Sequence, residues 1–138
     1  MRCSVQVAAY AGGMRPDLAP TACLPFEPAE ARSLQWLPLA VRYKLDACGL
    51  RLSLGQWQAL SEAARLQLLQ LAAGAEFALR ATQAGASRDA RMREPVQLNA
   101  AEAAQALDCG AAAARTWLAA ATPFAHYALG QRSKMEAA

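Results

Sequence analysis

The chain has 138 residues, among which alanine occurs 36 times and leucine 19 times, whereas isoleucine is absent. Alanine and leucine favour helices and β-branched residues favour strands, so this composition excludes an all-β fold and argues against a Rossmann-like sheet. The 14 basic and 11 acidic residues give a net charge of +3. They are spread evenly along the chain rather than gathered into the basic patch of a nucleic-acid-binding protein.

Residues 1–25 are predicted to be a flexible or extended leader outside the packed domain. They contain a Gly-Gly pair and three prolines and lack a helical apolar period. The uncharged stretch from Cys3 to Met14 is too short and too polar for a membrane-spanning helix, and it is a weak core for a signal peptide. We therefore expect a cytoplasmic protein without membrane contact, whose residues 26–138 form one helical domain.

The first strong helical pattern runs from Glu30 to Cys48. Apolar residues recur at helical spacing on two neighbouring faces, which is typical of a central helix packed on more than one side. Pro38 either kinks this helix or opens a second helix at its first position. Gly49 is expected to end the helix, because glycine readily adopts the left-handed conformation found there.

Capping residues and glycines predict the remaining helices. Ser53 caps a short helix that carries Trp57 and Leu60, and Ser61 caps the next. The later helices are predicted at about 62–72, 75–84, 100–109, 111–121 and 123–135, with stops at Gly74, Gly85 and Gly110, caps at Asn99 and Thr122, and a charged loop over 86–98. The prediction is an all-α, compact single-domain bundle of about six to seven helices.

Two stretches of the chain share a faint pattern at an offset of 61 residues. In each, an apolar anchor is followed by a small or hydroxyl-bearing cap, a basic residue or histidine, and a leucine. The members are Trp57, Ser61, Arg65 and Leu68 in the first stretch and Leu118, Thr122, His126 and Leu129 in the second. The pattern indicates either an internal duplication or simply the way in which a short helix meets the next one.

The sequence contains no catalytic constellation. The single histidine, His126, has no nucleophile at a suggestive spacing and is interpreted as a partly exposed helix residue. The four cysteines have no C-x-x-C pair, so neither a structural zinc site nor an iron–sulfur centre is expected. Cys48 and Cys109 are interpreted as buried reduced thiols, and a disulfide between them is left open. We expect no enzymatic activity, no metal and no cofactor.

Three charged residues, Arg42, Lys44 and Asp46, lie on the otherwise apolar central helix. Arg42 and Asp46 are one turn apart and within ion-pairing reach, while Lys44 points roughly the opposite way. In one interpretation Arg42 and Asp46 pair with each other or with loop carbonyls, and Lys44 extends to solvent along its aliphatic stem. In the other, these charges form part of a docking surface for another protein.

The segment from Phe26 to Leu69 carries an ordered mixture of charges, glycine and tryptophan. Its distinctive residues are Phe26, Leu37-Pro38, Val41-Arg42, Lys44-Leu45-Asp46, Gly49, Leu50, Leu52, Leu54, Trp57, Leu60-Ser61 and Arg65, and the chain closes with Thr122-Pro123 and Ala128-Leu129. Over residues 26–133 this pattern resembles the nitrate reductase-associated protein family. His126 and Ala121 depart from it, since the family pattern has Arg and Leu there.

The resemblance implies a non-enzymatic accessory role in bacterial nitrate assimilation. The protein would bind an assimilatory nitrate reductase or assist its maturation or activity. The family-motif residues, at which the resemblance leads us to expect the interaction, are Pro38, Arg42, Lys44, Asp46, Gly49, Trp57 and Arg65. Since tryptophan, tyrosine and arginine dominate interface energetics, the candidate anchors are Trp36, Tyr43, Trp57 and Trp117, each of which also fits core packing.

An alternative function remains open at this point. The pI of about 8.9 and the joins that resemble a helix-turn-helix are compatible with a helical nucleic-acid-binding or regulatory protein. That alternative predicts DNA binding that weakens steeply with salt. The even distribution of charge argues against it.

Overall fold

The computed structural model describes residues 14–89 and 97–137, and these residues are mostly helical. They contain eight helices and one pair of two-residue strands. The prediction of an all-α fold is confirmed. None of the described helices is both long enough and apolar enough to cross a lipid bilayer. By their contacts, the described residues divide into two units, 19–89 and 14–18 with 97–137.

The first unit, residues 19–89, contains five helices and both strands. The helices are α1 (Ala29–Arg32), α2 (Leu39–Cys48), α3 (Leu54–Gln58), α4 (Glu62–Gln70) and α5 (Ala75–Gln83). The strands β1 (Leu50–Arg51) and β2 (Ser87–Arg88) pair in antiparallel fashion, with Leu50 opposite Arg88. The sequence did not predict this strand pair, because two residues carry no periodic signal.

The central helix of the first unit is α2, as its apolar circumference predicts. It packs against α4, α5 and β1, and it buries Val41 and Leu45. Leu68 of α4 and Phe77 of α5 are also buried. Each such side chain stabilises the fold by about 1.5–3 kcal/mol relative to an exposed position.

The predicted segment from Glu30 to Cys48 is interrupted rather than continuous. Helix α1 ends at Arg32, and α2 begins at Leu39. Pro38 is extended, with φ −66° and ψ 158°, and immediately precedes α2. Of the two alternatives, a second helix is therefore correct, although Pro38 stands one position before its first residue. The break follows from proline chemistry, because a proline excludes its predecessor from helical conformation.

The predicted caps at Gly49, Ser53 and Ser61 are confirmed, whereas the prediction that Gly74 stops α4 is wrong, because Leu71 follows α4 as its C-cap and Gly74 precedes α5 as its N-cap. Gly49 follows α2 in left-handed conformation, with φ 68°. The Ser53 hydroxyl accepts a hydrogen bond from the backbone N–H of Gln56, whose side chain returns the contact in a capping box. The Ser61 hydroxyl accepts from the backbone N–H of Ala64 at the start of α4. The two serine caps provide acceptors for N–H groups of the first helical turn that have no partner within the helix.

The second unit contains three helices, α6 (Ala100–Leu107), α7 (Ala111–Ala120) and α8 (Pro123–Ala137). Helix α6 packs against both α7 and α8. The predicted caps are again confirmed, since Asn99 completes a capping box with Glu102 and the Thr122 hydroxyl accepts from the backbone N–H of Ala125.

The prediction that Gly110 ends α6 is wrong. The residue that ends this helix is Asp108, which adopts left-handed conformation with φ 53°. Gly110 is instead extended and precedes α7 as its N-cap. Asp is one of the few residues besides glycine that tolerates the left-handed region, so glycine is not required at this turn.

Residues 14–18 lie along the α7–α8 junction of the second unit. The Met14 carbonyl accepts a hydrogen bond from Trp117 Nε1 at 2.8 Å, and the Pro16 carbonyl accepts one from the Thr122 backbone N–H at 2.8 Å. The Thr122 hydroxyl donates to the Leu18 carbonyl at 2.6 Å. The rest of the predicted leader up to residue 13 lies outside the described residues, and its separation from a 26–138 domain stays a prediction.

Candidate functional site

The seven family-motif residues all lie in the first unit, but most of them are not on its surface. Pro38, Lys44 and Trp57 are fully buried. Gly49, Asp46 and Arg65 are half-buried, and Arg42 is exposed. Buried residues cannot touch a partner directly, so their contacts must be considered one by one. Whether the set as a whole binds a partner stays a prediction.

Lys44 is a buried cation at the carboxyl end of α4. Its Nζ donates hydrogen bonds to the carbonyls of Leu68 at 2.7 Å, Leu69 at 2.8 Å and Leu71 at 2.6 Å, and it lies 4.9 Å from the centre of the Phe77 ring. An ammonium has three N–H donors, and the partial negative charge at a helix carboxyl end favours a cation. The expectation that Lys44 extends to solvent is therefore wrong, because the buried helix end needs these donors.

Burial also changes the acidity of Lys44. Desolvation lowers its pKa from 10.5 to about 8, since a low-dielectric interior disfavours the charged form. At neutral pH the ammonium still predominates, so three donors remain available for the three carbonyls. Lys44 has no exposed surface, and its role is to hold the end of α4 against α2.

Glu27 performs a similar task at the beginning of α2, and the sequence did not reveal it. This carboxylate is 3% exposed. Its Oε1 accepts a hydrogen bond from the backbone N–H of Leu39 at 2.8 Å, and its Oε2 accepts one from Leu24 at 2.7 Å. Glu27 thus caps α2 where Pro38 offers no side-chain hydrogen bond. A cap 12 residues before the helix lies outside the local window in which capping motifs are read.

Trp57 and Arg65, two of the family-motif residues, converge on one backbone carbonyl. Leu34 adopts an unusual left-handed conformation for a leucine, with φ 66°. Its carbonyl accepts hydrogen bonds from Trp57 Nε1 at 2.8 Å and from Arg65 Nη1 at 3.1 Å. Gln58 Nε2 donates to the next carbonyl, that of Gln35, at 3.2 Å. We call residues 33–36 the pinned loop, because side chains from α3 and α4 hold its backbone.

Arg65 binds the turn between α3 and α4 as well as the pinned loop. Besides Leu34, it donates to the carbonyl of Leu60 at 3.2 Å and to that of Gln58 at 3.0 Å. These three acceptors use most of the donors of a guanidinium, whose planar fork suits several acceptors at once. Arg65 therefore joins the α3–α4 turn to the pinned loop, and its position four residues after the Ser61 cap makes that reach available.

Trp36 is the aromatic residue that the pinned loop presents to solvent, beside the polar side chains of Ser33 and Gln35. It is 44% exposed, whereas Trp57 and Trp117 are buried, and each of those two donates its indole N–H to a carbonyl. The Trp36 indole has no hydrogen bond within residues 14–89 and 97–137. Backbone hydrogen bonds also hold the pinned loop, since the Glu30 carbonyl accepts hydrogen bonds from the backbone N–H groups of both Gln35 and Trp36. Trp36 is thus an exposed aromatic side chain on a backbone segment that hydrogen bonds keep in place.

The charges of α2 do not form the predicted couple. Arg42 is exposed, and no salt bridge joins it to Asp46 among the residues that the structure describes. Arg42 therefore remains an exposed cation on the surface of α2. The remaining candidate anchor, Tyr43, is half-buried, and desolvation raises the pKa of its hydroxyl.

The groups considered for chemistry are two cysteines and the histidine. Cys48 and Cys109 carry free thiols and are half-buried, which is less burial than expected. Burial raises the pKa of Cys48. His126 is half-buried on α8, as predicted, and its Nδ1 has no hydrogen-bond partner. Within the described ranges, no three His, Cys, Asp or Glu side chains are grouped so that they could hold a metal ion.

Comparison with known proteins identifies the family. The family model described as conserved nitrate reductase-associated protein matches residues 23–122. The matched region includes the pinned loop, Lys44 and Arg65. No curated protein and no solved structure matches the chain. Because the family model covers well over half of the 138 residues, the chain belongs to the family of conserved nitrate reductase-associated proteins.

Proposed function

We propose that this protein is a non-enzymatic accessory protein of bacterial nitrate assimilation. In the cytoplasm it binds an assimilatory nitrate reductase or assists the maturation or activity of that enzyme. The observation that carries the proposal is the family match over residues 23–122, since the family is described by its association with nitrate reductase.

The distribution of the family-motif residues supports protein contact as the mode of action. Lys44, Trp57 and Arg65 use their polar atoms on backbone carbonyls of their own unit. The exposed motif side chain is Arg42 on α2, and Trp36 on the pinned loop, a candidate anchor outside the motif set, is exposed as well. Arginine and tryptophan are enriched among the residues that dominate protein interfaces. In this proposal the buried motif residues build the unit, and the exposed ones meet the partner.

The proposal is tested by association and by growth. A tagged full-length chain is expressed in its own host, and the host's nitrate reductase is expected to co-purify with it from cells grown on nitrate. A strain lacking the gene is expected to grow normally on ammonium and poorly on nitrate. Normal growth on nitrate together with no co-purification would show that the proposed function is wrong.

A further inference from the structure

We infer that Trp36 is the anchor with which this protein binds the nitrate reductase, and that the pinned loop exists to present it. The inference rests on the proposed function and adds the contact residue to it. It also assigns Trp57 and Arg65 the role of positioning residues, which act on the partner only through Trp36.

The first argument is the contrast among the three tryptophans. Two of them are buried and hydrogen-bonded to backbone carbonyls. Trp36 instead leaves 44% of its surface in water. A large exposed aromatic side chain gains little from its own fold, whereas its transfer into a pocket of a partner removes much apolar surface from water.

The second argument is that the backbone of the pinned loop is held before any partner arrives. The Leu34 carbonyl has two side-chain donors, Trp57 and Arg65, and the Gln35 carbonyl has a third, Gln58. The left-handed conformation of Leu34 is costly for a branched residue and persists only where surrounding contacts enforce it. An anchor on a rigid backbone loses less conformational entropy on binding than one on a mobile loop.

The chemistry of Trp36 indicates the site it fits on the reductase. An indole has an apolar body and one N–H donor, and that donor usually finds an acceptor when it is buried. The matching site on the reductase is an apolar pocket with a hydrogen-bond acceptor inside it.

The central experiment measures binding of the full chain to the purified nitrate reductase of the same host. Trp36→Ala is expected to weaken the Kd by at least about thirtyfold, as for an interface hot spot. Trp36→Phe keeps the ring and loses the donor, and it is expected to fall between the wild type and Trp36→Ala. The control is Leu79→Ala on α5, because Leu79 is another exposed large apolar residue of the same unit, with 57% exposure. It is expected to change the Kd by less than about threefold.

A double-mutant cycle tests the positioning role. Trp57→Phe removes the indole donor to the Leu34 carbonyl but keeps an aromatic ring, and it is expected to weaken binding about fivefold to tenfold. If Trp57 acts through Trp36, the same change made in Trp36→Ala has no further effect on the Kd. An effect of equal size in both backgrounds would show that Trp57 does not position Trp36.

The outcomes separate the inference from the function on which it rests. If the wild-type chain does not bind the reductase and a strain lacking the gene grows normally on nitrate, the proposed function itself is wrong. If only binding is absent, the anchor is wrong and a role in maturation or activity stands. If the wild type binds and Trp36→Ala binds equally well, the function stands and the anchor is wrong. If Trp36→Ala changes the oligomeric state of the free chain in sedimentation, a second copy covers Trp36, and the inference is overturned. Far-UV circular dichroism should be unchanged by every Trp36 substitution.

Discussion

The α3–α4 join and the α7–α8 join are built in the same way in their two units. In each, a helix ends with a buried tryptophan close to its last residue, and a hydroxyl caps the helix that follows. Each indole donates to an upstream backbone carbonyl at 2.8 Å, Trp57 to Leu34 and Trp117 to Met14. The sequence pattern aligned Trp57 with Leu118, whereas the structural counterpart of Trp57 is Trp117.

The two joins differ at the fourth residue after the cap. In the first join this residue is Arg65, which binds three carbonyls and holds the pinned loop. In the second it is His126, which lies edge-on to Trp117 with ring centres 6.1 Å apart and has no partner for its Nδ1. The shared local pattern thus produces the same turn in both units. Only in the first unit does the residue at this position, Arg65, also bind a loop, the pinned loop.

The largest effect is expected from Lys44, which binds the carboxyl end of α4. Ser61 caps the other end of the same helix. Lys44→Met keeps the aliphatic stem and removes the donors to three carbonyls. We expect a loss of about 3 kcal/mol in the free energy of unfolding, because buried acceptors are left unsatisfied. Urea denaturation measures this loss. The control is Arg42→Met on the same helix, which should stay within about 0.5 kcal/mol because Arg42 is exposed. Equal losses in the two variants would contradict the capping role.

Arg65 provides the next test, since it is the residue that distinguishes the joins. Arg65→Met is expected to destabilise the protein by about 2 kcal/mol through the loss of charge-assisted hydrogen bonds, reduced because the guanidinium is partly exposed. Arg65→Lys is expected to recover less than half of this loss, because an ammonium lacks the planar fork. Chemical denaturation gives both values. Full recovery with lysine would mean that charge alone, and not the three-carbonyl geometry, explains the residue.

The two tryptophans allow a direct comparison of the joins. Trp57→Phe leaves the Leu34 carbonyl with the Arg65 donor, whereas Trp117→Phe removes the side-chain donor of the Met14 carbonyl. Both changes remove the same ring volume. We therefore expect Trp117→Phe to cost about 1 kcal/mol more than Trp57→Phe, which is the penalty of one orphaned buried acceptor. Thermal and urea unfolding of the pair measure the difference, and a larger loss for Trp57→Phe would reverse the expected order.

The smallest effect concerns His126 and depends on pH. Desolvation lowers the pKa of His126 below its ordinary value of 6.5. The unfolded state therefore binds a proton before the folded state does, and this residue reduces stability as pH falls through 6.5. His126→Leu should remove this dependence on pH. The stability of this variant relative to the wild type is therefore expected to be higher at pH 5.5 than at pH 7.5. Denaturation at the two pH values checks this, and a stability difference that does not change with pH would contradict it.

Local signals predicted much of the fold. Ser53, Ser61, Asn99 and Thr122 cap helices where the sequence placed them, because a capping side chain bonds a backbone group only two or three residues away. One exception is the end of α4, where Leu71 rather than Gly74 is the C-cap, and another is the end of α6. There Asp108 rather than Gly110 turns the chain, since both residue types tolerate the left-handed region and the sequence alone does not choose between them.

The candidate site was predicted only in part, because its contacts span long stretches of chain. The pattern singled out Lys44, Trp57 and Arg65, but not what they bind. The acceptors of Lys44 and Trp57, and the Leu34 carbonyl that Arg65 binds, lie 23 to 31 residues away in the chain. Trp36 was one of four candidate anchors, and the sequence offered no reason to prefer it, because exposure depends on which residues pack around it.

By itself, the sequence determined the helical class, the positions of most helix starts and the residues typical of the family, since composition, periodicity and capping all act over short distances. Only the tertiary structure decided that Lys44 faces inward, that Glu27 caps a helix remote from it in sequence, and that Trp36 remains in solvent. These outcomes depend on which backbone carbonyls and N–H groups lose water when helices pack. A buried polar group must then find a partner wherever the fold provides one.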